Sequence, residues 1–533
     1  MRNSGNDNHS TMFRDGLMQG LVKGQMDLDL QAYRPAIVYI NGDYWGIHNL
    51  REKINESYLQ NNYDYGKDQI DLLERDRVVL AGDVTHYNRM YSFLNRNDMS
   101  KPENYTYVKT LMDMDEFINY QIAQIYFSNT DWPGNNIKFW RPKTENGRWR
   151  WIVFDTDFGF NLKEGGLSHN TIEFAAATNG PSWPNPPWST FLFRTLLKSE
   201  EFRNTFIQRF ASCMNSTFSP ERVLNLIEQY KSAIAPEMPG HIARWKYPSS
   251  MNAWNTEIGK MISFGRYRLR ALERHLVGKF SLKALVDCSL VVAEEGMGWI
   301  YVEDVPQTDN YLPARFYPEM PIHAKACPKP GYRFVGWEGL SNAAIDSITT
   351  FVADESHLIA YFEEGNSIVI NEIHYHPDAL QNAEGGEFIE LFNAGNAIVD
   401  LSGYSFTKGI SFTFPERTWI FPREYLLLTQ NPNHYTDLEI NVFEWKDGRL
   451  DNAGEEIRLV DRFGQLVNAV AYERFDPWPT LAAGYGYSLS LSDPTLDNDD
   501  PQNWRASQHR GGTPGQTNFH EFPSTEIRNW NQY

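Results

Sequence analysis

The spacing of apolar positions changes several times along the chain, and each change marks an expected element. In residues 11–22 the apolar side chains Met12, Leu17, Met18 and Leu21 recur at helical spacing. Residues 36–40 then read as a strand, Asn41-Gly42-Asp43 as a turn and 44–50 as the return strand. A helical pattern covers 53–61. Residues 114–128 predict a long amphipathic helix with Phe117, Ile118, Ile122, Ile125 and Tyr126 on one side. Two strands follow at 137–140 and 149–154, around the turn Glu145-Asn146-Gly147. From 188 to 277 the pattern is mostly helical, and Arg266, Arg270 and Arg274 recur four apart, as on a solvated helix face.

Near Phe280 the pattern turns to β. Residues 281–363 carry short strands between Gly/Pro turns. Residues 365–518 continue in strands; in 387–391 acidic and apolar residues alternate, as in a half-buried strand. Residues 519–533 read as a polar tail. The expected fold class is therefore multidomain, α+β and then all-β, with domains at 1–277, 278–364 and 365–518.

Bulk properties narrow the functional classes. A chain of 533 residues is too long for one core, and about two to four domains is the natural division. Forty-nine basic against 68 acidic residues, a net charge of −19, argue against a nucleic-acid partner and suit a soluble surface or secreted protein. No apolar run reaches the ~18 residues of a membrane span, and the opening MRNSGNDNHSTMFRDG has no apolar leader. An acidic, aromatic-rich make-up also suits glycan contact. The three cysteines have no zinc-site spacing. Cys288 and Cys327 either pair or stay as buried thiols.

The chemistry concentrates in one block. Ser128-Asn129-Thr130-Asp131-Trp132-Pro133-Gly134-Asn135-Asn136 follows the long helix, so a polar loop there holds one carboxylate and two carboxamides. The apolar strand Ile152-Val153-Phe154 then ends in Asp155-Thr156-Asp157-Phe158-Gly159. Carboxylates at the end of an apolar strand are costly unless they bind something, and an oxygen-only set of this kind suits Mg²⁺ shared with substrate phosphates. Asp131 and Asn136 stand five apart, as do the catalytic Asp and metal-side Asn of kinase catalytic loops, and Asp157-Phe158-Gly159 follows as a D-F-G segment. The competing structural readings are a turn cap for Asp131, a buried amide for Asn136, and structural calcium or loop capping for the two later aspartates. Glu52 either lies near a nucleotide or begins an exposed helix. Trp132 and Trp140 are expected in the core rather than against a ligand. His374 and His376 share a strand face and are read as structural.

The block resembles the CotH kinase-like family, an atypical protein-kinase fold, and so does the segment from Tyr33 through Gly46 to Glu52. The resemblance implies ATP and Mg²⁺ as cofactors and phosphoryl transfer to serine or threonine of a secreted or surface protein. It gives Asp131 the role of base or hydroxyl-orienting group, Asn136 and Asp155 the metal side, Asp157 a second candidacy there, and Glu52 a place beside the nucleotide. In that family a Lys-bearing N-terminal lobe precedes the helix that begins this chain. No strand of such a lobe can be placed here, so the expectation is a truncated kinase-like domain, weak or inactive in this form. Pro330-Gly331-Tyr332-Arg333-Phe334-Val335-Gly336-Trp337, with Ala360-Tyr361-Phe362, resembles the internalin B-type bacterial repeat. Residues 365–518, with Gly386-Glu387-Phe388-Ile389-Glu390-Leu391 and Gly511-Gly512-Thr513-Pro514-Gly515, resemble the lamin tail domain, an immunoglobulin-like sandwich. That company implies a bacterial cell-envelope or extracellular site. The alternative function is a non-enzymatic surface protein binding glycan or protein through its β modules.

Overall fold

The computed structural model describes residues 1–519 except 64, 145, 308–312, 330–331, 366, 379–385 and 396. Most of the tail expected at 519–533, Glu145 of the hairpin turn, and Pro330-Gly331 of the repeat-like segment thus lie outside the described residues. The chain forms two units. One takes residues 1–291, 300–325 and 337–359; the other takes 292–299, 326–336 and 360–533.

In the first unit a short 3₁₀ turn, Gly5–His9, leads into helix α1 (Arg14–Val22). Strand β1 (Asp29–Leu30) follows, then the hairpin β2 (Tyr33–Ile40) and β3 (Asp43–Arg51), whose turn sits at Asn41 and Gly42, both at positive φ. Next come α2 (Glu56–Tyr63), β4 (Ile70–Glu74), β5 (Val78–Ala81), α3 (Thr85–Arg96), α4 (Pro102–Lys109), α5 (Met114–Phe127), β6 (Lys138–Pro142) and β7 (Arg150–Val153). Five of these strands make one sheet in the order β1-β7-β6-β4-β5, antiparallel except for the parallel β1–β7 edge. The helices α6 (Thr171–Ala175), α7 (Phe191–Leu196), α8 (Glu200–Asn215), α9 (Pro220–Ile234), α10 (Met238–Trp245) and α11 (Met251–Phe280) complete the helical part. Arg266, Arg270 and Arg274 of α11 are exposed, as their spacing predicts.

Helix α5 departs from the expected amphipathic pattern. Every residue from Glu116 to Phe127 is buried, so its polar members Asn119, Gln121 and Gln124 lie inside with the apolar ones. Burying each large apolar side chain of this helix contributes about 1.5–3 kcal/mol. Asp113 caps its first turn, accepting from the Glu116 N–H at 3.3 Å. It ends where Ser128 turns left-handed, at φ 56°.

An ion cluster ties β7 to β1 and to the start of α5. Arg150, on β7, donates to Asp27 at 2.6 and 3.1 Å, to Asp29 at 2.8 and 3.1 Å and to Asp113 at 2.8 Å. Asp29 also accepts from Trp140 Nε1 at 2.6 Å and Tyr63 Oη at 2.7 Å. A guanidinium buried this deeply is stable only with such pairing.

The strands between Ile368 and Ala506, in the second unit, make a β-sandwich. Strands Ile368–His374, Phe388–Asn393, Tyr425–Thr429, Asn441–Glu444, Leu489–Leu491 and Trp504–Ala506 form a six-stranded sheet. Phe412–Thr413, Ser405–Lys408, Gly454–Val460 and Leu466–Glu473 form a four-stranded one. Ile370, Ile389, Leu391, Leu426, Ile457, Val470 and Trp445 lie in the core. The immunoglobulin-like all-β architecture agrees with expectation. The strand at Phe388–Asn393 does not: it is buried along its whole length instead of on alternate positions, because both faces are covered, Ile389 and Leu391 by the sandwich core, Phe388 by Leu427 and Tyr435 and Glu390 by the Gly515 turn. Cys213, Cys288 and Cys327 are all buried thiols, so no disulfide joins Cys288 to Cys327. His374 is buried and bonds the Gly386 carbonyl through Nδ1 at 3.0 Å, a structural role.

Candidate active site

The loop after α5 is pinned to the helix that precedes it. Asn129 is fully buried; its Nδ2 donates to Gln124 Oε1 at 2.9 Å, and its Oδ1 accepts the Asp131 N–H at 3.0 Å. Trp132 is also buried, donating from Nε1 to Tyr120 Oη at 3.0 Å. Trp132 and Trp140 are thus core anchors, as expected.

So held, Asp131 meets two carboxamides. Asn135 Nδ2 donates to both of its oxygens at 3.1 Å, and Asn136 Nδ2 to Oδ2 at 3.0 Å. The same Asn136 nitrogen reaches the Asp155 carbonyl at 3.1 Å. Asn136 thereby links the loop after α5 to the segment after β7, and both Asn136 and Asp155 take left-handed backbone, at φ 49° and 51°. Such conformations cost free energy in non-glycine residues and persist where surrounding bonds impose them. Burial pushes the Asp131 carboxyl above the usual carboxylate range, and the Asp155 charge adds to it, against the two asparagine donors.

The two aspartates after β7 have different surroundings. Asp155 keeps 29 % of its side chain exposed and pairs with Arg2. Asp157 keeps 1 %, and accepts the Asn6 N–H at 2.8 Å, Asn6 Nδ2 at 3.3 Å and Arg2 Nη2 at 3.4 Å. Burial pushes the Asp157 carboxyl up to about 7, helped by the Asp155 charge and opposed by Asn6 and Arg2. Between them Thr156 is fully buried and donates its N–H at 3.0 Å and its hydroxyl at 2.8 Å to Asp15 of α1. Burial raises Asp15 as well, but Arg51 at 2.7 Å and the Thr156 donors outweigh it and hold this carboxyl below its ordinary range. Gly159 packs where a Cβ would come within 2.8 Å of both Met18 Sδ and the Phe127 carbonyl oxygen, which keeps the D-F-G segment tight against α1 and α5.

Asp131, Asn136 and Asp155 therefore come together, with Asp157 beside them. Glu52 does not join them. Just past β3, it accepts the Ala32 N–H at 2.7 Å and Asn62 Nδ2 at 3.0 Å. Arg2, Asn6 and the Asp15–Thr156 contact were not anticipated from sequence. The polar run Arg2-Asn3-Ser4-Gly5-Asn6 has no periodicity, and its partners lie some 150 residues away. Lys163, exposed and 4.3 Å from the Phe158 ring centroid, is a further basic group whose charge acts on Asp131.

Residues 1–272, half of the chain, match the family model described as CotH kinase protein. The chain belongs to the CotH kinase family. Residues 363–474 match the Lamin Tail Domain model. No curated protein matches the chain significantly. Among solved structures, a crystal structure of a DUF4876 family protein from Bacteroides thetaiotaomicron is similar over 47 % of this chain and 99 % of that one, with 11 % identity and a TM-score of 0.22.

CotH kinase family membership implies use of ATP and Mg²⁺ in general. Among the described residues no set of three or more His, Cys, Asp or Glu side chains forms a closed metal cage. Mg²⁺ at a phosphotransfer site needs only one or two carboxylates, with phosphates and water filling the rest. The partly exposed Asp155 carboxylate, with the Asn136 carboxamide beside it, has that chemistry, and a cationic guanidinium already satisfies Asp155. No described helix is long and apolar enough to cross a membrane.

Proposed function

We propose that this CotH kinase family member transfers the γ-phosphoryl group of Mg²⁺-ATP to serine or threonine hydroxyls of a secreted or surface protein. The observation that carries the reading is the Asn136 carboxamide bridging the Asp131 carboxylate and the Asp155 backbone. The bridge from Asn136 to a residue 19 positions on supports reading Asp131 as the hydroxyl-orienting acid and Asp155 as the metal-side acid.

In this reading Asp131 accepts a hydrogen bond from the substrate hydroxyl, orients it in line with the phosphorus and takes its proton late in the transfer. The flanking carboxamides of Asn135 and Asn136 keep the carboxylate from rotating away. Asn136 and Asp155 hold the metal side, with Asp157 behind them. Bound Mg²⁺ would neutralise charge on the phosphate oxygens. Arg2 and Lys163 are the nearby basic groups available to the phosphates. Glu52, bonded to the Ala32 N–H and to Asn62, serves the backbone there rather than a nucleotide.

The test is calorimetric titration of Mg²⁺-ATP into the chain and into Asp155→Ala, beside phosphate incorporation into a generic serine-rich protein. Binding and incorporation that vanish in the variant support the reading; equal heats in both proteins overturn it. Exposed rings of the sandwich, including Trp419, Phe421, Phe463 and Tyr485, favour a second, compatible reading. The lamin tail module and the repeat-like segment before it dock a glycan or protein at the cell envelope and so present the kinase domain to its substrate.

A further inference from the structure

The N-terminal segment reaches into the proposed site as a strap. Its backbone is fixed at one end: the Arg2 N–H donates to the Asn49 carbonyl and the Asn49 N–H to the Arg2 carbonyl, both at 2.8 Å. Ser4 accepts from Asn49 Nδ2 at 2.8 Å and donates to the Met12 carbonyl at 2.7 Å. At the other end Asn6 closes on Asp157 through its backbone N–H and side chain. Between them Gly5 sits at φ +59°, where a Cβ would lie 2.3 Å from Arg2 Nη2 and 2.4 Å from Asp157 Oδ2. A side chain at position 5 would have to push the Arg2 guanidinium and the Asp157 carboxylate aside.

These contacts divide the two aspartates. Asp157 is sealed and serves the strap. Asp155 is partly exposed, and its partner, the Arg2 guanidinium, is itself 32 % exposed on a pinned backbone. We propose that residues 2–6 are a latch anchored on Asp157, and that Arg2 is a built-in counter-cation which a divalent ion must displace from Asp155. Arg2 is then a positioning residue that keeps the acid cluster neutral and ordered until the metal arrives. The proposal rests on the metal-side reading of Asp155 given above. A unit positive charge on the same carboxylate weakens divalent binding, but solvent at a partly exposed pair screens much of that effect.

The experiment measures Mn²⁺ alone, without nucleotide, by the loss of its free-ion electron paramagnetic resonance signal on adding protein. Arg2→Gln is expected to bind Mn²⁺ about five- to tenfold more tightly than the parent, Arg2→Lys to stay near the parent, and Asp155→Asn to lose the site. Asn6→Ala, which loosens the anchor and leaves Arg2 in place, should tighten binding about twofold, and it carries the test if Arg2→Gln fails to fold. Asp155-dependent Mn²⁺ binding that is equal or weaker in Arg2→Gln and Asn6→Ala overturns the latch and leaves the metal-side reading standing. No Asp155-dependent Mn²⁺ binding in any of these proteins overturns both.

Discussion

Two pairs of carboxylates in this molecule have opposite designs. Asp155 and Asp157 stand on an irregular segment after a strand, where one is sealed by the strap and the other faces solvent through an arginine. Glu372 and Glu390 stand on adjacent central strands of the sandwich, both fully buried. Glu372 accepts from Ser490 Oγ at 3.0 Å, from the Thr513 N–H at 2.9 Å and from Ser488 Oγ. Glu390 accepts from Asn371 Nδ2 at 2.8 Å and the Gly515 N–H at 2.6 Å. Gly512, at φ +81°, passes where a Cβ would be 2.7 Å from Glu372 Oε1. The glutamates staple the Gly511–Gly515 turn to the sheet, and no face of either is left for a ligand. Burial of an acid is therefore a poor sign of chemistry by itself. What separates the two pairs is whether fixed neutral donors or one partly exposed cation balances the charge.

The sharpest break in the comparison is at Asp131. Asp131→Asn is expected to lower phosphoryl transfer by about 10²–10⁴-fold while thermal unfolding stays near the parent's, measured by initial rates and a melting curve. A structural acid would give the reverse result. Arg150→Met removes the guanidinium that Asp27, Asp29 and Asp113 share and is expected to destabilise the first unit by about 3–5 kcal/mol, read from denaturant unfolding. The glutamate pair should respond to pH. Burial pushes the Glu372 carboxyl up to about 7, and burial with the Glu372 charge raises Glu390 further above its ordinary range. A carboxyl raised on folding stabilises the protonated native state. Its contribution is full below the unfolded pKa of about 4.3 and is lost as pH rises through about 7. The opening free energy of Ile368–His374, from hydrogen exchange corrected for the intrinsic pH dependence of the amide rate, should therefore fall between pH 5 and 8 by an amount on the order of 2 kcal/mol, and an opening free energy independent of pH there would remove the pair from the stability account. The smallest effect belongs to Arg266→Ala and Arg274→Ala on the solvated face of α11, expected within about 0.5 kcal/mol by the same denaturant measurement. Arg268→Met, one turn away, should cost several times more, because this buried guanidinium donates to the carbonyls of Ile125, Leu167 and His169.

Local pattern was a good guide wherever one element answers to one period. The β2–β3 hairpin, the helices after 188 and the strands of the sandwich follow from spacing and turn residues, because a side chain's neighbours along the chain decide those. The motif Asp131 to Asn136 and the acids at 155 and 157 were also legible, since polar oxygens after an apolar helix or strand stand out against their surroundings. The pattern failed at elements buried on all sides. Helix α5 and the strand at Phe388–Asn393 carry polar residues that read as solvent-facing and instead bond inside the core. Glu52, read as either near a nucleotide or at an exposed helix start, has its oxygens on the Ala32 N–H and the Asn62 carboxamide, partners 20 and 10 residues away that spacing does not reveal.

Sequence alone determined the order of elements, the resemblance to the CotH kinase and lamin tail families and the chemical kind of group in the loops, because these depend on residue type and short-range spacing. Only the tertiary structure decided which acid faces solvent, which is sealed, and that Arg2 stands against both. Those outcomes depend on contacts between residues some 150 positions apart, and no local period encodes where the chain returns to meet itself.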